Sequence, residues 1–342
     1  MTFGYFSMTR SRRVVFLTPL LQRLILGFCL CLAGYLPQQA GAQVPDDVHI
    51  VPRAKPRPAS GVAPLRISVD LVTVPVTVTD QKNHPVLDLN KDDFRLFEDQ
   101  NEQKIQYFFS EDAPLSVGVI VDLSSSMGNK IDSVRQAVSE FFSNANPEDD
   151  YFVITFADKP KLLADTTQSI ETIQAKLGAA KAKGNTALAD AIFMGVRKLR
   201  TAKYERKALL IISDGGDNNS RHSLGQVKRM ARESDATIYA IDVCDAPALL
   251  ITKKLEERFG KSWLTEVTES TGGRTLAVDQ AIKIPEAAAR ASLELRNQYV
   301  LGYRPPPAGR QSKWRKIKVH VARAEQSLAL QVHYRTGYVP RD

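Results

Sequence analysis

Cysteine is scarce in this sequence, with three residues among 342. Cys29 and Cys31 fall in the first 42 residues, so Cys244 is the only thiol beyond that segment. A single thiol cannot close an intramolecular disulfide. Because Cys244 follows an apolar segment, we interpret it as a small buried side chain rather than a redox group.

The sequence also lacks the signatures of several enzyme classes. It contains no G-x-S-x-G elbow, no phosphate-binding P-loop and no dinucleotide-binding fingerprint. None of the histidines has the spacing of a metal site: they are His49, His84, His222, His320 and His333. We therefore expect a protein that is not an enzyme.

A dense basic stripe with interleaved aromatic residues, which is typical of nucleic-acid-binding proteins, is absent as well. The formal net charge is +8, but four of the positive charges are arginines of the first 42 residues, which contain no Asp or Glu. Hydrophobic residues make up 43% of the chain and charged residues 25%, which is ordinary for a globular protein. We expect no nucleic-acid partner.

Residues 1–42 are interpreted as a secretory signal. A group of arginines is followed by an apolar run, Leu24–Leu36, that is too short to span a bilayer comfortably, and then by the small-residue cleavage pattern Ala40–Ala42. An uncleaved anchor that starts at Val14 is the alternative. Residues 43–64, rich in proline, alanine and basic residues, predict an extended linker. We expect an exported protein, periplasmic, envelope-associated or secreted, without a transmembrane span after cleavage.

The sequence is organised around Val117–Gly128, VGVIVDLSSSMG. The apolar run Val117–Val121 predicts a buried strand, and Asp122, Ser124 and Ser126 follow at alternate positions before an amphipathic helix. Open α/β sheets bind ligands at the carboxyl ends of their strands. One carboxylate and two hydroxyls are oxygen donors, which suit a hard cation such as Mg²⁺ or Mn²⁺ better than zinc.

Two further oxygen donors stand at the ends of later elements. Thr186 lies in GNTALADAI, where a loop opens a helix, and Asp214 follows the apolar strand of LLIISDG. The segments DLSSS, GNTAL and IISDG, in this order, resemble the von Willebrand factor A (VWA) domain and its metal-ion-dependent adhesion site. The resemblance implies that Asp122, Ser124, Ser126, Thr186 and Asp214 are the metal ligands, some of them through water.

Three residues near these ligands need separate interpretation. Ser125 stands where this family usually has glycine, at a position whose side chain need not touch the metal. Asp190, four residues past Thr186, either orients a metal-bound water or is a first-turn acid that the helix dipole favours. Asp217 is interpreted as an exposed charge at the rim of the site.

The predicted donors favour binding over chemistry. Two carboxylates roughly neutralise a divalent ion, so the ion keeps affinity for one more anionic oxygen. The resemblance implies that an exposed Asp or Glu of a partner protein supplies it. The alternatives are a structural envelope scaffold without a working metal site, a Mg²⁺-dependent hydrolase and a serine hydrolase. The first hydrolase would use Asp122 as nucleophile but has Ser124 where a second Asp is usual, and the second would pair Ser126 with His222 without any supporting spacing.

Residues 111–297 alternate predicted strands and helices. This pattern predicts an α/β fold with a doubly wound, mostly parallel sheet flanked by helices, as in VWA and Rossmann-like domains. Residues 65–110 and 298–342 have strand-type alternation instead. LVTVPVTVTD, LNKDDFRLFEDQNEQKIQYF, YVLGYRPP, WRKIKVHV and YRTGY resemble a family of exported VWA proteins described mainly from Acidobacteria. This resemblance implies that the two flanking segments pair into one β-rich unit.

Two local features of the first flanking segment are informative. Pro75, inside the first predicted strand, indicates an edge strand or a break between two strands. DFRLFEDQNEQKIQYFF predicts a hairpin with its turn near Asp99–Glu102 and a second strand that reaches Tyr107. The resembling family usually has glycine where Gln100 stands, and Asn101 is a residue that could adopt the left-handed conformation instead.

Overall fold

The structure is a computed structural model, and it describes residues 71–110, 112–165, 169–243, 262–307, 313–322 and 330–340. All of these residues belong to one unit, Ile67–Asp342. The predicted signal (1–42), the predicted linker (43–64) and Cys244 lie outside the described residues. Where the chain is described, no helix has the length and apolarity needed to cross a membrane.

The described strands are, in chain order, β1 Val72–Thr79, β2 Phe94–Glu98, β3 Asn101–Gln103, β4 Tyr107–Phe109, β5 Ser116–Asp122, β6 Asp150–Phe156, β7 Pro160–Ala164, β8 Lys207–Ser213, β9 Ala236–Val243, β10 Thr275–Val278, β11 Tyr299–Tyr303, β12 Arg315–Val321, β13 Gln331–Tyr334 and β14 Gly337–Tyr338. The described α-helices are α1 Ile131–Ser143, α2 Ile170–Ala179, α3 Leu188–Leu199, α4 Leu224–Arg232, α5 Trp263–Ser270 and α6 Ile284–Arg296.

Six strands form a central sheet in the order β10-β9-β8-β5-β6-β7. All neighbouring pairs are parallel except β6 and β7. Both faces are covered, because α1, α2 and α6 contribute to the apolar cluster on one face and α3, α4 and α5 to the cluster on the other. A parallel sheet that is buried on both faces needs continuous apolar strands, and every residue of β5 is buried. The predicted fold class is confirmed.

Strands from both flanking segments form a β-sandwich. Its two sheets have the orders β13-β1-β11-β4 and β14-β12-β2-β3, and they share one apolar core. In the first sheet β1 pairs antiparallel with β11 and β13, and in the second β12 pairs antiparallel with β2. Strands that precede β5 in sequence are therefore held by strands that follow α6.

The structure corrects three expectations for the first flanking segment: the left-handed residues of the turn, the course of the hairpin at Tyr107, and the edge strand or break at Pro75. The left-handed residues of the hairpin turn are Asp99 (φ 44°) and Gln100 (φ 75°), whereas Asn101 begins β3. Two consecutive residues with positive φ give a turn whose twist matches that of the strands. Tyr107 does not continue the hairpin, because β4 pairs with β11 in the other sheet. Pro75 lies inside the continuous strand β1, where it pairs with β11 and precedes the residues that pair with β13.

The sandwich joins the α/β unit at the amino ends of the parallel strands. β4 ends at Phe109 before β5 begins at Ser116, and α6 ends two residues before β11. The backbone N–H of Thr336 donates to the carbonyl of Ser270, and Arg335 pairs with Asp235 just before β9 (3.2 Å). The carboxyl ends of β5 and β8 are therefore at the far end from the sandwich.

Candidate functional site

Asp122, the last residue of β5, is fully buried. Its Oδ1 accepts the backbone N–H of Ser124 (2.8 Å), and its Oδ2 accepts the hydroxyl of Ser213 (2.6 Å). Burial raises the pKa of Asp122, and the negative charge of Asp214 acts in the same direction. The site is therefore built around a carboxylate that is shielded from solvent and lies near a second carboxylate.

No lysine or arginine side chain among the described residues forms an ion pair with Asp122. In this it differs from three other carboxylates whose side chains are at most 4% exposed, each of which contacts an arginine: Glu98 with Arg315, Asp149 with Arg296 and Glu294 with Arg274. A buried charge without a partner is costly, and a bound cation would remove that cost. The surroundings of Asp122 thus fit a metal ligand.

The two predicted serine ligands lie next to Asp122. Ser124 is 1% exposed, and its Oγ is 3.0 Å from the Oγ of Ser126, which is exposed. A single 3-10 turn, Ser125–Met127, follows Ser124 and directs the chain toward α1. The alternate spacing in the sequence therefore does bring one carboxylate and two hydroxyls together at the end of β5.

Thr186 lies just before α3 and is 6% exposed. Its N–H donates to the side-chain oxygen Oδ1 of Asn218 (2.9 Å), and its carbonyl accepts the N–H groups of Asn218 and Asn219 (3.0 Å each). Asn219 also donates through its side chain to the carbonyl of Asp158 (2.8 Å). The loop after β8 is thus fastened to the Thr186 loop.

Backbone hydrogen bonds also join the Thr186 loop to the loop after β5. The N–H of Lys183 donates to the carbonyl of Leu123 (2.8 Å), and the N–H of Ser125 donates to the carbonyl of Gly184 (3.1 Å). Three loops from separate parts of the chain consequently meet at one end of the sheet.

Asp214 follows β8 and is partly exposed. Its Oδ1 accepts a long hydrogen bond from the N–H of Gly216 (3.4 Å). Gly215, between them, has φ +77°, a conformation that favours glycine. Since β5 and β8 are adjacent parallel strands, Asp214 stands at the same end of the sheet as Asp122.

Asp190 and Asp217, the two acidic residues predicted near the ligands, both accept hydrogen bonds from the loop that follows Asp214. Asp190 accepts the N–H groups of Arg221 (3.1 Å) and His222 (2.9 Å) on Oδ1, which also lies 2.6 Å from Nδ1 of His222. Partial burial raises the pKa of Asp190, but these hydrogen bonds outweigh burial and leave the pKa below its ordinary value. Asp217 accepts the N–H of Ser220 (3.3 Å). Neither carboxylate has a hydrogen bond to a predicted ligand among the described residues.

Sequence reasoning missed Ser213 and Asn218. Ser213 ends an apolar run, and its partner Asp122 is 91 positions away. The contact follows from the strand register, which local spacing does not give: Val121 pairs with Ile212, so Asp122 and Ser213 are the next residues on neighbouring strands. Asn218 belongs to a polar loop, and its contact with Thr186 follows no local spacing rule.

The donors suit a hard cation. The described residues contain no group of three or more His, Cys, Asp or Glu side chains that could hold a metal ion. A metal here would depend on the hydroxyls of Ser124, Ser126 and Thr186 together with the two carboxylates. Hydroxyl and carboxylate oxygens are the donors that Mg²⁺ and Mn²⁺ accept, whereas zinc favours nitrogen and sulfur.

Comparisons with known proteins agree with this architecture. The model of the von Willebrand factor type A domain family matches residues 117–216. Inter-alpha-trypsin inhibitor heavy chain H4 of Bos taurus is 26% identical over 126 residues, which are 32% of this chain and 14% of that protein. Its Homo sapiens counterpart is 22% identical over 158 residues, which are 42% of this chain and 17% of that protein. The chain therefore spans less than a fifth of these relatives' length.

Similar solved structures include a von Willebrand factor type A protein from Catenulispora acidiphila, with 10% identity and a TM-score of 0.45, covering 72% of this chain and 68% of that one. Another is proximal thread matrix protein 1 from the mussel byssus with a zinc-occupied MIDAS motif, with 16% identity and a TM-score of 0.46, covering 59% of this chain and 50% of that one. These likenesses are too low to add to the argument. The family match and the sheet topology together show that the chain contains a VWA domain, a module that typically mediates protein–protein interaction.

Proposed function

We propose that this VWA domain binds Mg²⁺ or Mn²⁺ through Asp122, Ser124, Ser126, Thr186 and Asp214, and that the bound ion takes an acidic side chain from a partner protein. The observation that supports the proposal is the state of Asp122. Its carboxylate is fully buried and accepts two hydrogen bonds, yet it has no cationic partner among the described residues. A divalent ion supplies the missing charge.

The exposure of the donors supports a binding role. Asp122 and Ser124 are buried, whereas Ser126 is exposed and Asp214 is partly exposed. An ion held by these residues has protein on one side and solvent on the other. Two carboxylates roughly cancel the charge of the ion, so an Asp or Glu from outside is a favourable additional ligand.

The surroundings of Ser126 and His222 favour binding over hydrolysis. The ring of His222 stacks on Phe193 with centroids 3.8 Å apart, and its Nδ1 contacts Asp190. The hydroxyl of Ser126 contacts that of Ser124. No hydrogen bond joins Ser126 to His222 within the described part of the chain, so a serine–histidine pair has no support. We propose that the protein is not an enzyme.

Metal binding is tested by calorimetric titration of Mg²⁺ and Mn²⁺ into the EDTA-stripped full chain. Saturable binding is expected for the wild type, and a loss of at least about tenfold in affinity is expected for Asp122→Asn, which keeps the size of the side chain but removes its charge. Asp217→Asn is the matched control, because an amide oxygen can still accept the N–H of Ser220, and its affinity should stay within about twofold.

A folded wild-type chain that binds neither ion would contradict the proposal and favour the structural scaffold. Equal losses in Asp122→Asn and Asp217→Asn would show that the effect is not specific to the proposed ligands.

The acidic partner is tested with peptides selected for binding to the Mg²⁺-loaded chain. Binding is expected to disappear with EDTA, in Asp122→Asn, and when one acidic residue of the peptide is changed to its amide. Peptides that bind regardless of metal and acidic residue would remove the partner half of the proposal and leave the metal half intact.

Export is part of the same proposal and is supported by the signal-like segment 1–42. Expression of the full chain in a bacterial host, followed by fractionation and mass determination, is expected to yield a protein outside the cytoplasm whose N-terminus is residue 43. A full-length protein in the cytoplasmic fraction would contradict it.

A further inference from the structure

Ser125 lies between two predicted ligands but is not a predicted ligand itself. Its side-chain hydroxyl makes two hydrogen bonds, both with one residue that is distant in sequence. Its Oγ donates to the carbonyl of Gly184 (3.1 Å) and accepts the N–H of the same glycine (3.0 Å). The backbone N–H of Ser125 donates to that carbonyl as well (3.1 Å). Although Ser125 is exposed, both hydrogen-bonding functions of its hydroxyl are satisfied by one residue 59 positions away.

Gly184 belongs to the irregular segment that presents Thr186. Residues 181–187 lie in neither helix nor strand, so their position depends on individual contacts. Gly184 has φ +103°, and an added Cβ would lie 2.8 Å from the carboxylate of Asp158, which also accepts the N–H of Asn185 (2.9 Å). The segment is therefore held by Asp158 on one side and by Ser125 on the other.

We propose that Ser125 is a positioning residue for the metal site, which orders the Thr186 loop against the Asp122 loop before the ion arrives. This inference rests on the proposed function. Thr186 is supplied by a segment without helix or strand, so its placement depends on individual contacts of this kind. A hydroxyl that bonds Gly184 through two hydrogen bonds lowers the cost that metal binding must otherwise overcome.

The position explains why a serine can be useful where glycine would suffice for the turn. Glycine or alanine at 125 would keep the backbone hydrogen bond to Gly184 but lose both contacts of the hydroxyl. Each net hydrogen bond is worth about a fivefold change in an equilibrium constant, so losing both is expected to weaken metal binding by about five- to twenty-fivefold. Threonine retains the hydroxyl and should restore most of the affinity.

The experiment compares Ser125→Ala, Ser125→Gly and Ser125→Thr with the wild-type full chain. Hydrogen exchange of the peptide spanning residues 181–187 is measured in EDTA, and Mg²⁺ and Mn²⁺ affinities are measured by calorimetry. Ser143→Ala is the matched control, since Ser143 is an exposed serine whose hydroxyl donates to the carbonyl of Glu140 (2.8 Å) far from the site.

We expect faster exchange of residues 181–187 without metal, and weaker binding, in the alanine and glycine variants, with recovery in the threonine variant and no change in Ser143→Ala. If exchange accelerates but the affinity of Ser125→Ala equals that of the wild type, Ser125 stabilises the loop without positioning a ligand, and the inference is wrong. Unchanged exchange would equally overturn it. Absence of metal binding by the wild type would instead overturn the proposed function and, with it, this inference.

Discussion

The VWA domain buries Asp122 and the β-sandwich buries Glu98, and these two carboxylates have opposite surroundings. In the sandwich, Glu98 is 3% exposed and accepts the hydroxyls of Tyr303 and Tyr338 on one oxygen and the guanidinium of Arg315 on the other. In the VWA domain, Asp122 is buried as well, but its hydrogen-bond partners among the described residues are two neutral serines, Ser124 and Ser213.

The difference separates a structural carboxylate from a ligand. The Glu98 cluster joins residues of both sandwich sheets, because Tyr303 belongs to β11 while Arg315 and Tyr338 belong to β12 and β14. Burial, followed by the hydrogen bond to Glu98, raises the pKa of both tyrosines, so their hydroxyls stay protonated and can donate. This fold can therefore neutralise a buried carboxylate with its own side chains, and among the described residues none does so at Asp122.

The largest expected effect on stability comes from removing Glu98, the buried carboxylate that pairs with an arginine. Glu98→Ala removes the acceptor of two tyrosine hydroxyls and leaves Arg315 with backbone carbonyls but no carboxylate, and should lower the free energy of unfolding by about 3–5 kcal/mol. Urea denaturation followed by circular dichroism measures the loss. The control is Glu102→Ala, which breaks a solvent-exposed pair with Arg95 (2.8 Å) and should cost only a small fraction of that loss. Similar losses in the two variants would show that the Glu98 cluster is not structural.

A smaller effect on the free energy of unfolding, of opposite sign, is expected from replacing Asp122. Without metal, Asp122→Asn removes a buried charge that no cationic side chain of the described residues offsets, and should raise the free energy of unfolding by about 1 kcal/mol. Saturating Mg²⁺ should stabilise the wild type and leave the variant unchanged. Thermal unfolding with EDTA and with Mg²⁺ measures both. A metal-free variant that is less stable than the wild type would show that the fold already compensates Asp122.

Asp190 is only partly buried, and its side chain contacts the ring of a histidine rather than a guanidinium. Its replacement should have the smallest effect on stability. Its pKa is lowered from the ordinary 3.8, so its ionised form contributes stability that is present above 3.8 and is lost as the pH falls through the folded-state pKa. At pH 7, Asp190→Asn should cost about 0.5 kcal/mol relative to the wild type. The difference should shrink toward zero near about pH 2. Urea denaturation across this range measures the difference, and a cost independent of pH would assign it to packing.

The sequence predicted the central sheet and the ends of its strands well, because a doubly buried strand must be a continuous apolar run. Val117–Val121 and the run before Asp214 are such segments, and the polar residues that follow them stand where predicted ligands were expected. That these residues bind a metal stays a prediction. What local spacing could not indicate were contacts set by register or by loop closure, such as Ser213 with Asp122 and Ser125 with Gly184.

The sandwich was harder to read, since its second hairpin strand is interrupted. Asn101–Gln103 completes the hairpin, and Ile105, which is 6% exposed, marks the point where the chain crosses to the other sheet before Tyr107. An alternating pattern runs through this crossing without a break, so the pattern could not show it. The sequence also could not predict which arginines pair with buried acids, because these pairs depend on packing between distant segments.

Asp122 lies at one end of the central sheet, and the two chain connections to the sandwich, β4 to β5 and α6 to β11, lie at the other end. This arrangement has a mechanical consequence. A partner pulling on Asp122 while the sandwich is anchored would load β5 along its length, from residue 122 to residue 116. The hydrogen bonds of β5 to β6 and β8 run across that direction, so they would bear the force together, in shear, rather than open one after another. An attachment of this kind withstands tension better than one that peels from an edge strand.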